Sequence, residues 1–215
     1  MKSMQTLQQM IREKVIAVIR TDSAGAALQA AEAAYEGGIR LLEITLTTPG
    51  ALQIIADLKR KYGAAAVVGA GTVMDAVSAR LAIDSGADFL VSPHLDAEVI
   101  QMAHLHQVPI IPGTATLKDA VEALKLGCGV IKLFPANLLG PQAIRAFKGP
   151  LPQAHFIPTG GVNAETISDW LAAGAVAVGT GSELTKEALQ TGDFTKVTAY
   201  ARKLVHAAHN QPTVQ

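Results

Sequence analysis

The sequence predicts an α/β fold, a (β/α)8 barrel with an extra N-terminal helix, in a single domain over residues 1–215. Three observations lead there. Short apolar runs alternate with longer stretches of helical periodicity. Glycine recurs where a helix gives way to a strand. No composition shift or linker divides the chain, whose length suits one closed barrel at the compact end of that fold's size range. A doubly wound open sheet fits the same alternation and is the rival.

Taken in order, Gln5–Glu13 is the extra helix, placed to close the barrel floor. The strand candidates are Val15–Ile19, Leu41–Leu46, Val67–Gly69, Phe89–Ser92, Pro109–Pro112, Val130–Phe134, His155–Pro158 and Ala175–Val178. Between them, Ser23–Glu36, Ala51–Tyr62, Val73–Ser85 and Ala164–Ala173 carry helical periodicity, and Phe194–Ala208 ends the fold. The residues after it are expected to fray. Junctions such as Glu36-Gly37-Gly38, Ser85-Gly86-Ala87, Leu126-Gly127 and Ala173-Gly174 mark left-handed helix caps.

Composition narrows the function. Apolar residues make up 49% and aromatics 4%, so the core is built from small and aliphatic side chains. Lys+Arg and Asp+Glu both number 18. Without a basic run, nucleic acid is not the expected partner. No apolar run has transmembrane length, so no membrane partner is expected. The N-terminus lacks a signal peptide's apolar core and Cys128 has no pairing partner, so a cytoplasmic setting is expected.

The informative residues are charges inside the apolar runs. Side chains alternate across a strand, so Val130, Lys132 and Phe134 share one face while Ile131 and Leu133 pack against helices. Lys132 therefore points inward, where desolvation favours its neutral, nucleophilic amine. The same alternation turns Leu41, Glu43 and Thr45 inward. A buried carboxyl there can exchange protons near neutral pH. Arg20 ends the first strand and supplies a fixed cation suited to a carboxylate or phosphate. Structural alternatives stay open: Lys132 paired with a carboxylate, or an Arg20–Glu43 ion pair. Two glycine-rich loops, Pro158-Thr159-Gly160-Gly161 and Val178-Gly179-Thr180-Gly181-Ser182, follow the last two strands. Barrels often hold phosphate there, at a helix N-terminus. Ser182 is expected both to cap that helix and to touch the anion.

These residues resemble the class I 2-keto-3-deoxy-6-phosphogluconate and 4-hydroxy-2-oxoglutarate aldolases. The likeness runs from about Val15 to about Leu204. It is carried by Gly37-Gly38-Ile-Arg-Leu-Leu-Glu43-Ile-Thr45, Val68-Gly-Ala-Gly71-Thr72, Val91-Ser92-Pro93, Ile111-Pro112-Gly113, Ile131-Lys132-Leu-Phe134-Pro135 and the two glycine loops. The resemblance implies Lys132 as Schiff-base lysine and Glu43 as general acid/base. It implies Thr72 and Thr159 as hydroxyls at the pyruvate end, and Pro93, Pro112 and Phe134 as walls around the lysine. Gly160, Gly161, Gly181 and Ser182 match a phosphate cradle, and Arg20 matches an arginine that some members carry. The position four residues after Glu43, arginine in some members, is Thr47 here. The resemblance further implies a 2-keto acid phosphosugar substrate, pyruvate as product, no cofactor, no metal and a homotrimer.

Other signals point away from chemistry. His104 and His106 are two apart on an expected helix and share no face for a metal. His94 is expected at the surface or in packing. Cys128 reads as a small core residue and Trp170 as a packing anchor. A phosphosugar isomerase or epimerase, or a non-catalytic phosphosugar-binding barrel, would share the loops without needing Lys132.

Overall fold

The computed structural model describes residues 2–210. Helix α1 (Lys2–Glu13) leads into β1 (Val15–Ile19), α2 (Ala24–Glu36), β2 (Leu41–Thr45), α3 (Ala51–Tyr62) and β3 (Val67–Gly71). Then come α4 (Ala76–Asp84), β4 (Leu90–Val91), α5 (Ala97–Leu105), β5 (Ile110–Ile111), β6 (Gly113–Thr114), α6 (Leu117–Lys125) and β7 (Val130–Leu133). Last are α7 (Ala136–Leu139), α8 (Gln142–Lys148), β8 (His155–Pro158), α9 (Ile167–Ala172), β9 (Val178–Thr180), α10 (Ser182–Thr191) and α11 (Thr195–His209). The fraying expected after the last helix falls on residues 211–215, outside the described residues.

Every strand pairing is parallel. One sheet has the order β5-β4-β3-β2-β1-β9 and the other β6-β7-β8. The first and last strands are neighbours, and the order never reverses outward from β1 as a doubly wound sheet would. The sheet therefore curls. Isolated bridges Phe156↔Ala175 and Thr159↔Gly179 tie the smaller sheet to the β9 side.

Two apolar layers follow from strand alternation. Ile131, Leu133, Leu42 and Ile44 join the outer layer beneath the helices. Val130, Leu41, Ile16, Val67, Phe89 and Ile157 fill the concave side. Met10 of α1 joins that inner cluster with Leu7 packed against it, so α1 covers one end of the interior as expected. Each fully buried Ile or Leu contributes about 1.5–3 kcal/mol. In the outer layer, small residues set close approach. Ala27, Ala30, Ala31 and Ala34 of α2 are wholly buried, and Gly37 meets Thr198 and Ala201 of α11 with no space for a Cβ.

Several boundaries differ from expectation for local reasons. The fifth expected strand, Pro109–Pro112, shortens to β5, and β6 follows just past its expected end; between them stands Pro112, which has no N–H to donate although its carbonyl accepts from Lys132 N at 2.9 Å. The last expected strand starts at Val178, because Ala175 makes only one isolated bridge. Helix α4 starts late: Asp75 is its N-cap, accepting from Ser78 N at 2.7 Å. Asn163 accepts from Thr166 N at 2.9 Å, a turn that delays α9 to Ile167. Ser182 does not cap α10. Gly181 holds the cap position and Ser182 is the first helical residue.

Candidate active site

Parallel strands deliver their C-terminal ends to one rim, and the catalytic candidates come from there. Lys132 sits on β7 opposite Gly113 and Ile157. Glu43 sits on β2 opposite Val18 and Gly69. Both are buried, Lys132 at 5% and Glu43 at 2% exposure. Space for the Glu43 carboxylate exists because Gly71 on β3 has no side chain; a Cβ there would overlap it. Glu43 Oε1 has no hydrogen-bond partner among the described residues. A buried, unpaired carboxylate oxygen is costly and needs a reason.

Electrostatics push both groups toward neutrality. Burial raises the Glu43 carboxyl above its ordinary range, opposed by the nearby Lys132 and then Arg20 charges. Burial lowers the Lys132 ammonium; Glu43 opposes this and Arg20 reinforces it. The Lys132 Nζ lies 4.7 Å from the centroid of the Phe134 ring.

Arg20 does not pair with Glu43. Its Nη2 donates to Thr72 Oγ1 at 3.0 Å. Thr72 has φ +57°, a left-handed conformation unusual for a β-branched residue. That bend turns its hydroxyl toward Arg20. Position 47, without arginine, belongs to a hydroxyl cluster: Thr45 Oγ1 lies 3.1 Å from Thr47 Oγ1 and 3.3 Å from Thr48 Oγ1.

A cleft of about 490 Å³ opens beside these groups. Arg20, Phe134 and Thr159 line its inner part, and Gly160, Gly161, Gly181 and Ser182 line the loop end. Gly160 and Gly161 have φ of +100° and +74°, which only glycine adopts readily in succession. Thr180 Oγ1 donates to the Val162 carbonyl at 3.1 Å and fastens the two loops together. No side chain caps α10; Leu184 N bonds back to the Gly181 carbonyl at 2.9 Å, and the N–H groups of Ser182 and Glu183 ahead of it suit an anion. Lys132, Glu43, Thr72, Pro93 and Pro112 do not themselves line this cleft; Lys132 adjoins it through Phe134, whose ring lies beneath its Nζ. Thr72 reaches it through Arg20, and the Pro93 carbonyl packs on Gly113 across from Lys132.

Sequence reasoning missed the α10 wall, where Glu183, Thr185, Lys186, Leu189 and Gln190 line the cleft. The signal was available, since Thr185, Lys186 and Leu189 follow Ser182 at helical spacing.

The KDPG and KHG aldolase family model matches residues 7–200. The chain belongs to this aldolase family. The 2-dehydro-3-deoxy-phosphogluconate aldolase of Treponema pallidum is 36% identical over 194 residues, covering 89% of this chain and 92% of its own. The 2-keto-3-deoxy-6-phosphogluconate aldolase of Zymomonas mobilis, solved with 3-phosphoglycerate, superposes with TM-score 0.84 at 31% identity, covering 98% of both chains. The KDPG aldolase from Legionella pneumophila, solved with pyruvate as a covalent carbinolamine, has TM-score 0.82 at 32% identity, covering 89% of this chain and 94% of its own. This aldolase is accordingly a carbon–carbon lyase.

The remaining candidates of the aldolase behave as ordinary residues. Cys128 is buried and its thiol is pushed up to about 11 by desolvation. Trp170, 4% exposed, packs inside its own chain. His106 caps the end of α5 and its Nε2 lies 3.2 Å from Arg80 Nη1. Among the described residues no group of three His, Cys, Asp or Glu could hold a metal, and no helix is long and apolar enough to cross a membrane.

Proposed function

We propose that this aldolase cleaves 2-keto-3-deoxy-6-phosphogluconate reversibly to pyruvate and glyceraldehyde 3-phosphate through a Schiff base on Lys132. It also takes 4-hydroxy-2-oxoglutarate, giving pyruvate and glyoxylate. The observation that carries this reading is a buried amine on β7 and a buried carboxyl on β2, close enough for each to act on the other's charge, beside an anion-suited cleft lined by Arg20 and Phe134.

The Lys132 amine attacks C2 of the keto acid to give a carbinolamine. Water leaves and an iminium forms. Glu43, through a water, takes the proton from the C4 hydroxyl. The C3–C4 bond breaks, its electron pair flows into the iminium, and an enamine and an aldehyde result. Protonation at C3 gives the pyruvate iminium, and water releases pyruvate and free Lys132. Glu43 serves as base and then acid with the same proton. The positive charge of the protonated imine favours ionised Glu43 at the step that needs a base.

Arg20, presented by Thr72, and Thr159 bind the keto acid, while Pro93, Pro112 and Phe134 wall the lysine. Gly160, Gly161, Gly181 and Ser182 cradle the phosphate with backbone N–H groups. The curled sheet is read as a closed (β/α)8 barrel in one domain. A homotrimer accords with the family resemblance and with exposed Met74, Val77 and Leu81 near one face of α4. The setting is read as cytoplasmic.

The test is borohydride reduction with pyruvate followed by peptide mass mapping. One adduct is expected, on the peptide containing Lys132 and absent from Lys132→Ala. Equal labelling of both proteins, or labelling of neither, overturns the assignment.

A further inference from the structure

We propose that Lys186 sets this enzyme's preference for a phosphorylated over an unphosphorylated 2-keto acid. The inference rests on the aldolase reading and deepens it. Lys186 stands on α10 four residues after Ser182, so the two side chains share a helix face. Both line the cleft, together with the glycine loops. Arg20 also lines it but is engaged with Thr72, toward the Glu43 end. Lys186 is thus the cation on the α10 wall. Among the described residues no acid pairs with it: Glu187, its neighbour, pairs with Lys196.

The chemistry calls for such a group. A phosphate dianion at the glycine loops would meet only partial charges, since a helix N-terminus contributes roughly half an elementary charge. A lysine on the same helix face adds a full, mobile charge without demanding fixed geometry. Glu183 lines the same cleft and opposes the anion. Both Glu183 and Lys186 are exposed, so solvent weakens the repulsion and the attraction alike and keeps each effect small. A carboxylate and an ammonium at this mouth would together tune the preference, with opposite signs.

Steady-state assays with 2-keto-3-deoxy-6-phosphogluconate and 4-hydroxy-2-oxoglutarate, from low to high salt, test this. Lys186→Met is expected to lower the ratio of the two kcat/KM values about fivefold, the size of a favourable exposed charge pair. The loss should appear in KM for the phosphorylated substrate, and Lys186→Arg should restore most of it. Glu183→Gln should move the ratio the other way. Raising salt should lower the wild-type ratio and leave that of Lys186→Met nearly flat. An unchanged ratio, or equal losses on both substrates, overturns the role of Lys186. Wild-type trapping by borohydride and pyruvate runs alongside. Trapping with an unchanged ratio sinks the lysine assignment alone, whereas no trapping sinks the aldolase reading itself.

Discussion

Lys132→Met should abolish turnover and make the protein more stable. The side chain is 5% exposed and burial disfavours its charged form. Methionine has similar length, no charge and a flexible stem that fills the same space. Replacing a buried ion pair by apolar groups of matching volume is often neutral or stabilising by about 1–4 kcal/mol, whereas removing one partner costs about 3–5 kcal/mol when the other stays charged. Glu43, its pKa already raised by burial, takes up a proton once the neighbouring positive charge is gone, so no unpaired carboxylate is left and a gain within that first range, about 2 kcal/mol, is expected. For a chain of this size each kcal/mol shifts Tm by roughly 2–4 °C, so an increase of about 4–8 °C is expected. Circular-dichroism melts measure it. The pH dependence gives the origin away. Lys132 has a lower pKa folded than unfolded, so the unfolded chain binds more protons. The penalty in wild type is full below the folded pKa and shrinks as pH climbs toward the ordinary lysine value of 10.5. The Tm gap between variant and wild type should therefore close on going from neutral pH toward 10.5. A Tm below wild type, or a gap indifferent to pH, would show that Lys132 is not held in a penalised environment.

Glu43→Gln should lower kcat by about 10²–10⁴-fold as a lost general acid/base, while pyruvate trapping on Lys132 persists; loss of trapping in folded protein would reassign Glu43. Cleavage needs neutral Lys132 and ionised Glu43, so kcat/KM should fall as pH drops. Its acid limb should lie above the ordinary carboxyl value of 4.5, since burial raises Glu43; a limb at or below 4.5 counts against Glu43 as the base. Gly71→Ala places a methyl where the Glu43 carboxylate lies, so kcat should drop by at least tenfold, about 1.4 kcal/mol of barrier, with the circular-dichroism spectrum retained; undiminished kcat would refute the packing argument. Thr72→Ala removes the partner of Arg20 and should raise KM for every 2-keto acid tested by about three- to tenfold, the net worth of an ordinary hydrogen bond, because Arg20 is exposed and water can replace the lost hydroxyl. An effect on kcat alone would place Thr72 elsewhere in the cycle.

The inward aim of Lys132 and Glu43 was legible because a strand of period two has only two faces, and Ile131, Leu133, Leu42 and Ile44 claim the outer one. The glycine loops were legible because positive φ at Gly160 and Gly161 leaves a residue-type trace. Strand ends were less so: whether Pro112 interrupts a ladder depends on which neighbour its backbone faces, and Ala175 has no side-chain signal separating strand from loop. The partner of Arg20 could not be read at all. Thr72 lies 52 positions away, and only the curl of the sheet together with a left-handed backbone at Thr72 brings the hydroxyl to the guanidinium. The α10 wall leaves no residue-type trace like that of the glycines, and only the helical spacing that continues from Ser182 to Lys186 points to it.

Under the proposed mechanism, the arrangement of three charges gives Arg20 a part to play without an arginine at position 47. Lys132 and Glu43, left to themselves, would each stabilise the other's charged form, and an ammonium–carboxylate pair is the unreactive state. Arg20 acts on both in the useful direction. Its charge lowers the Lys132 ammonium pKa and so favours the nucleophilic amine, and it lowers the Glu43 pKa and so favours the base. Binding of the substrate carboxylate to Arg20 would then neutralise the bias only after the keto acid has arrived, and the iminium charge takes over its influence on Glu43. Replacing Arg20 by a neutral residue should therefore do more than raise KM: Lys132 should become more basic, and the pH at which pyruvate trapping is half-maximal should move upward. Arginine serving only as a carboxylate clamp predicts weaker binding with that midpoint unmoved.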